Sequence, residues 1–320
     1  MTTRTLSLLT PSGRLTLGSL LGALHPMRER QDDAFYGIAD LHAMTTEHDP
    51  VALRAHTTEM ATLLLAAGLD RATLFRQSRV PAHAQLGYLL ECVVTTGELG
   101  RMTQYREKRR AGSADSVRTS LFTYPALMAA DILLYRPAVV PVGDDQRQHV
   151  ELTRDLALRF HRRYGEVFVV PEVVTAAGGR ARVMDLAHPT RKMSKSADPA
   201  GSVLLLDPPD VVRRKVARAV TDSDTGPDAV RRDREAKPGV TNLLEVLEAC
   251  GGSAAGLTTY GALKRAVTDA VVAELEPLQA RYAALAADPA HVADVYRRGE
   301  ERARTVTEPV LAAARTAMGL

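Results

Sequence analysis

The sequence predicts an α/β fold, a parallel sheet with helices packed on it, joined to an all-helical part, and three observations carry that prediction. Short apolar runs, LSLL (6–9), AFYGIA (34–39) and AVVPVG (138–143), are each ended by Pro, Gly or polar residues and followed by a segment of helical character. Strands that alternate with helices pair in parallel and bind ligands beyond their carboxyl ends. After Pro189 the texture changes: the stretches 207–220, 240–252, 259–285 and 292–318 carry apolar residues at three- and four-residue spacing, with no strand signal between them. Finally, 320 residues at 45% hydrophobic and 25% charged content supply a core for one large domain or two modest ones.

Composition also excludes several classes. No run approaches the roughly 18 apolar residues of a membrane span, and the apolar stretch near Met1 is too short for a secretory leader. A cytoplasmic protein without a membrane partner is expected. The two cysteines, Cys92 and Cys250, stand far apart without metal-ligand spacing, which argues against a disulfide framework or a zinc site. The net charge of +3 conceals basic clusters at 106–110, 159–164, 213–215 and 297–304. Each is either a solvated helix face or part of a surface for a polyanion.

The first strand, 6–9, runs into TPSGRLTLGSLLGAL (10–24), a Pro-Ser-Gly turn followed by an apolar helix. Gly18 falls near the start of that helix, where a nucleotide can approach bare backbone, although such turns also serve purely structural ends. In YPALMAADILLY (124–135), Tyr124, Met128, Asp131 and Tyr135 fall at i, i+4, i+7 and i+11, on one helix face. That face is mostly apolar, so Asp131 is a carboxylate on a buried stripe, which costs several kcal/mol unless it is hydrogen-bonded. No cationic donor stands four residues away, so a distant arginine or a ligand must supply one. VPVGDDQRQHVELTRDLALRF (140–160) reads as strand, Gly turn and long amphipathic helix. Asp144 and Asp145 lie in its first turn, where the helix dipole favours carboxylates with or without a ligand. HPTRKMSKSADP (188–199) is a loop carrying Lys192 and Lys195 among the hydroxyls of Ser194 and Ser196. Such a pair can close over a polyphosphate, each ammonium neutralising charge on the departing group, while Met193 rests on an apolar surface such as a purine face.

Taken in order, these stretches resemble the class I aminoacyl-tRNA synthetases: residues 16–19 form a degenerate HIGH signature, and Lys192 to Ser196 spell KMSKS in full. Within the class, the chain resembles the bacterial tryptophanyl-tRNA synthetases over nearly its whole length, through IADLHAMT, LMAADILLY, RRYGEVFVVPE, AVTDSD, KPGVTNLLEV and RYAAL. The tyrosyl enzymes are the competitor, but they typically carry Gln where this chain has Met128. The resemblance implies a Rossmann-like catalytic domain over 1–188, an all-helical anticodon-binding domain over 189–288, and a C-terminal helix over 289–320 that returns to the catalytic domain. It further implies a homodimer that activates L-tryptophan with ATP and passes it to tRNA(Trp). Mg²⁺ would be held mainly by the phosphates, with no metal site on the protein.

By the same resemblance, Asp131 accepts the indole N–H, and Tyr124, Met128, His42 and Gln146 line the tryptophan pocket with Leu6 and Leu8. Thr10, Pro11, Ser12, Gly18 and Ser19 face ATP from one side, and Gly143, Asp144 and Asp145 from the other. Val183 lies near the adenine. Lys192, Met193, Ser194, Lys195 and Ser196 close over the phosphates, joined by Lys108, and Thr16 and Ser19 hold the first and last HIGH positions. Departures from the family pattern fit either a divergent, auxiliary member or a first strand that shifts slightly to accommodate Leu8. Ser19 stands where Asn is usual, Leu8 where Gly commonly faces the substrate ring, and Leu6 where an aromatic is common. Two alternatives carry less: a regulatory paralogue that binds tryptophan or ATP has no need of both lysines and a helical domain, and small nucleotidyltransferases usually lack the 127–135 helix.

Overall fold

The computed structural model describes residues 4–111, 118–137, 139–142, 144–175, 183–193 and 200–320; for 108–111, 139–142, 144, 145 and 173–175 it describes the backbone alone. Among the described residues the chain runs β1 (Thr5–Leu9), α1 (Leu17–Ser19), a π-helical turn (Leu20–Leu24), α2 (His25–Glu29), β2 (Ala34–Ile38), α3 (Asp40–Ala43), α4 (Pro50–Ala66) and β3 (Thr73–Arg76). A 3₁₀ turn (Gln77–Arg79) leads to α5 (Ala82–Glu91), α6 (Thr96–Arg101), α7 (Thr103–Ala111), α8 (Thr119–Tyr135), β4 (Val139–Val142), α9 (Asp144–Tyr164) and β5 (Glu172–Thr175). Helices alone follow: α10 (Pro209–Ala217), α11 (Pro238–Ala249), α12 (Tyr260–Ala286) and α13 (Pro289–Met318).

The sheet is parallel, as the alternation of strand and helix requires. β1, β2 and β3 pair in that order, and β4 pairs with β5 while lying against β1. β3 and β5 were not foreseen, because each offers only two or three consecutive apolar residues. Every residue of β2 is buried, as befits a strand covered on both faces. The register sets Leu6 beside Phe35 and Leu8 beside Gly37, with Gly37 in turn beside Phe75. Gly37 must be small: a side chain built there would crowd the Phe75 ring and reach the Leu8 side chain at 3.0 Å.

Two apolar clusters hold the layers together. One joins Leu15, Leu24, Tyr36 and Leu63 to Val203, Leu243, Val267 and Val292, so residues from both halves of the chain share it. The other gathers Phe35, Phe75, Leu86, Leu133, Phe160 and Ala303 beneath α5, α8, α9 and α13. The segment after residue 200 is laced back onto the start of α1: Leu17 donates to the Val203 carbonyl at 2.8 Å and Leu205 to that of Leu15 at 3.0 Å. No helix among the described residues is long and apolar enough to cross a membrane.

α13 lies along β3. Glu300, buried, pairs with Arg76 at 2.6 Å, and Arg304 donates to the Arg79 carbonyl. Gly299 makes the approach possible, because a side chain at that position would overlap the Leu74 backbone carbonyl. Gly299→Ala should therefore push helix from strand and destabilise the fold by about 1–3 kcal/mol, the usual cost of overpacking. Urea denaturation measures this directly, and an unchanged midpoint would contradict the close docking of α13.

Candidate active site

At the carboxyl ends of β2 and β3, four elements converge on Asp131 of α8. The carboxylate is 4% exposed and accepts three hydrogen bonds: Gln77 Nε2 and His83 Nδ1 each reach Oδ1 at 2.7 Å, and His42 Nε2 reaches Oδ2 at 2.7 Å. The sequence-based expectation of a distant arginine is thus corrected. The donors are two imidazoles and an amide, brought in by α3, the 3₁₀ turn and α5. Nothing local announced Gln77 or His83, because they reach Asp131 only through the fold. An ionised carboxylate offers about four acceptor positions. Among the described donors, Oδ1 has both of its own filled and Oδ2 keeps one.

Burial pushes the Asp131 carboxyl up, but the charge and hydrogen bonds of His42, followed by those of His83, more than offset it and hold it at about 2. Since the carboxylate can only accept, the proton at the His83 contact sits on Nδ1. Tyr135 hydroxyl stands 2.9 Å from His83 Nε2; burial and the Asp131 charge push the phenol well above its ordinary value, so it keeps its proton.

Beside this group lie the other residues expected around an aromatic substrate. Tyr124, two turns before Asp131, is buried, hydrogen-bonds His149 Nε2 at 2.6 Å and meets the His42 ring edge-on at 6.3 Å. Burial raises its hydroxyl to about 12. Met128 is half-buried on the same helix, and Gln146 is half-buried in the first turn of α9. Leu6 packs on Ile132 and Val150, and Leu8 packs into the cluster containing Phe35 and Phe75, with its side chain reaching over Gly37. Both leucines therefore point from β1 toward the helix that carries Asp131.

Residues assigned to the nucleotide gather at the end of β1. Thr10, Pro11 and Ser12 form the turn, with Pro11 buried and Ser12 exposed. Thr16 is 1% exposed and opens α1, and Ser19 turns back on it, its hydroxyl 3.3 Å from Thr16 Oγ1. Ser19 thus bonds within its own helix end. Gly18 faces a second segment far along the chain: a Cβ there would lie 3.5 Å from that of Val183 and 3.7 Å from that of Met193. Val183 and Met193 are buried, while Lys192, next to Met193 in the chain, is exposed. Gly143, Ser194, Lys195 and Ser196 lie outside the described residues, as do the side chains of Lys108, Asp144 and Asp145, whose backbones belong to α7 and α9.

The family model for class I tRNA synthetases (W and Y) matches residues 2–287. The curated tryptophan–tRNA ligase 1 of Streptomyces avermitilis is 54% identical over 323 residues, covering 97% of this chain and 96% of that protein. Among solved structures, the tryptophanyl-tRNA synthetase of Mycoplasma pneumoniae aligns with a TM-score of 0.86 at 34% identity, over 100% of this chain and 98% of its own. The Campylobacter jejuni tryptophanyl-tRNA synthetase complexed with ADP and tryptophan gives a TM-score of 0.84 at 29% identity, over 99% and 100%.

The network at Asp131 has a measurable signature in acid. The folded carboxyl sits below its ordinary value of 3.8, so the stability it contributes is present above that value and drains away as the pH falls toward about 2. Wild-type protein should lose on the order of 2 kcal/mol more than Asp131→Asn across that window. Denaturant titrations at stepped pH read the difference, and parallel acid profiles would contradict it.

Proposed function

The chain belongs to the class I tRNA synthetases of the tryptophan and tyrosine group, and we propose that it is the tryptophan–tRNA ligase among them. It activates L-tryptophan with ATP and passes the aminoacyl group to tRNA(Trp). The observation that carries the choice of substrate is the ionised, almost fully buried Asp131, with one acceptor position open on Oδ2 beside His42. In apolar surroundings such a position rewards a ligand that brings its own N–H and penalises one that leaves the carboxylate unsatisfied.

Tryptophan enters with its indole N–H on Oδ2, its ring among Leu6, Leu8 and Met128, and its ammonium near Tyr124 and Gln146. One carboxylate oxygen attacks the α-phosphorus of ATP. A new P–O bond forms, the bond to the β-phosphate oxygen breaks, and pyrophosphate departs with the electron pair. Lys192, with Lys195 and Lys108, neutralises the charge gathering on that group, and backbone at Gly18 leaves room for the nucleotide against Val183 and Met193. Positioning and charge do the catalysis without a covalent nucleophile. Mg²⁺ arrives with ATP as part of the substrate, held by its phosphates; no cluster of three metal-ligating side chains stands among the described residues. In the second step the 2′-hydroxyl of the terminal adenosine attacks the acyl carbon, and AMP leaves. We place this work in the cytoplasm, in a homodimer whose subunits both touch each tRNA. Leu8 and Leu6, filling space on the pocket side of β1, support the reading of a divergent, auxiliary enzyme with a reshaped indole site.

Amino-acid-dependent exchange of pyrophosphate into ATP tests the assignment. Tryptophan should support exchange, and phenylalanine, which brings no donor, should be rejected by about 10⁴-fold. Exchange with tyrosine alone, or with phenylalanine at a comparable rate, would overturn it. Lys192→Ala should slow exchange by about 10²-fold or more. Gly18→Ala separates fold from function. Its methyl meets Val183 and Met193 at ordinary contact distances of 3.5 and 3.7 Å, so stability should hold. The KM for ATP should nevertheless rise by about tenfold, which a KM left unchanged would refute.

A further inference from the structure

The stretch KPGVTNLLEV, which no step of the proposed reaction uses, places Asn242 in α11 with 2% of its surface exposed. Both ends of its carboxamide are spent on one residue: Oδ1 accepts from Met184 N at 2.8 Å, and Nδ2 donates to the Met184 carbonyl at 3.0 Å. Met184 is also the residue that pairs with Lys192 in an isolated antiparallel bridge. Asp185 donates to the Arg191 carbonyl at 2.8 Å and Met193 to that of Val183 at 3.0 Å, so 183–185 and 191–193 are the two arms of a hairpin. Within it Met184 and Lys192 are a non-hydrogen-bonded pair, and the backbone N–H and C=O of Met184 face outward, away from the Lys192 arm. Asn242 takes both, as one residue of a third strand would.

We propose that Asn242 is a positioning residue for Lys192, its carboxamide fixing the hairpin arm opposite that lysine and so setting where the ammonium stands relative to Gly18. The proposal rests on the reading of Lys192 as a phosphate clamp. α11 is itself firmly held at this end. Lys237, buried, pairs with Asp222 and Asp224 at 2.9 Å and meets Tyr260 hydroxyl at 3.0 Å. Gly239 lies so close to the Val220 carbonyl that no side chain would fit, and Val220 N donates to the Leu186 carbonyl at 2.8 Å. Asp185 stiffens the turn, with Oδ1 accepting from Ala187 N at 2.8 Å and His188 N at 2.9 Å. The hairpin thus has one side on α11 and the other, through Val183 and Met193, on Gly18. Displacement of α11 would move Lys192 with it.

The experiment uses full-length protein and two substitutions, Asn242→Ala and Asn242→Leu, which both remove the carboxamide while leaving different volumes. Each should lower kcat for tryptophan-dependent exchange by about tenfold and leave tryptophan binding within about twofold. Binding is read by indole fluorescence, since the chain contains no tryptophan of its own. In a Lys192→Ala background either substitution should cost less than about threefold, because the group it positions is already gone. Equal losses in both backgrounds, a fall in tryptophan affinity parallel to kcat, or full activity in Asn242→Leu would each overturn the proposal. Hydrogen exchange of the 183–193 peptide gives a readout that needs no turnover: protection should drop in both variants, and unchanged protection would overturn the proposal even if activity fell. Wild-type protein without tryptophan-dependent exchange would instead overturn the synthetase reading, and with it any role for Lys192.

Discussion

A carboxylate kept ionised inside a protein must be solvated by the protein itself, and Asp131 imposes that requirement on everything around it. Its three donors come from three separate elements, each placed by a strand end: His42 just after β2, Gln77 just after β3, and His83 at the start of the helix that follows. The order of the strands and the packing of α5 on α8 serve to bring these groups within 2.7 Å of one carboxyl. Because His83 is also hydrogen-bonded to the Tyr135 hydroxyl, the arrangement is locked from behind as well. A substrate meeting this site finds direction and charge already fixed, which reduces what its own binding must spend on ordering the groups it touches.

The side proposed for the nucleotide is built on a different principle. There the surface is backbone and small side chains: the turn at 10–12, Gly18, and the hairpin that brings Val183, Lys192 and Met193 across from it. Ser19 closes on Thr16 and finishes its own helix end. One half of the site is thus set by a fully bonded polar core. The other is set by how two distant segments of chain are held against each other.

Much of this was legible in the sequence, for physical reasons that can be named. β1 and β2 were visible because apolar runs bounded by breakers mark buried parallel strands, and the helices after residue 207 because their stripes have helical spacing. KMSKS was visible because two lysines in a hydroxyl-rich loop have few structural reasons to exist. Asp131 was recognised as a buried carboxylate in need of a donor, but its donors were not, since Gln77 and His83 reach it across 54 and 48 residues of chain. β3 and β5 are too short to show a period. Gly37 and Asn242 read as ordinary residues of a strand and a helix, because what makes them particular is a close approach and a backbone contact that exist only after folding.

The docking of α13 on β3 bears on how the molecule is made. Arg76 and Glu300 are 224 residues apart, and Arg79 and Arg304 are 225, so the strand whose end carries Gln77 is covered by a segment synthesised long after it. A nascent chain still short of α13 exposes the edge of β3 that Gly299 later seals, and its Asp131 network has no settled support on that side. Contacts of such long range form late. On the ribosome, catalytic competence should therefore arrive abruptly once α13 has emerged and not in proportion to the length of chain made.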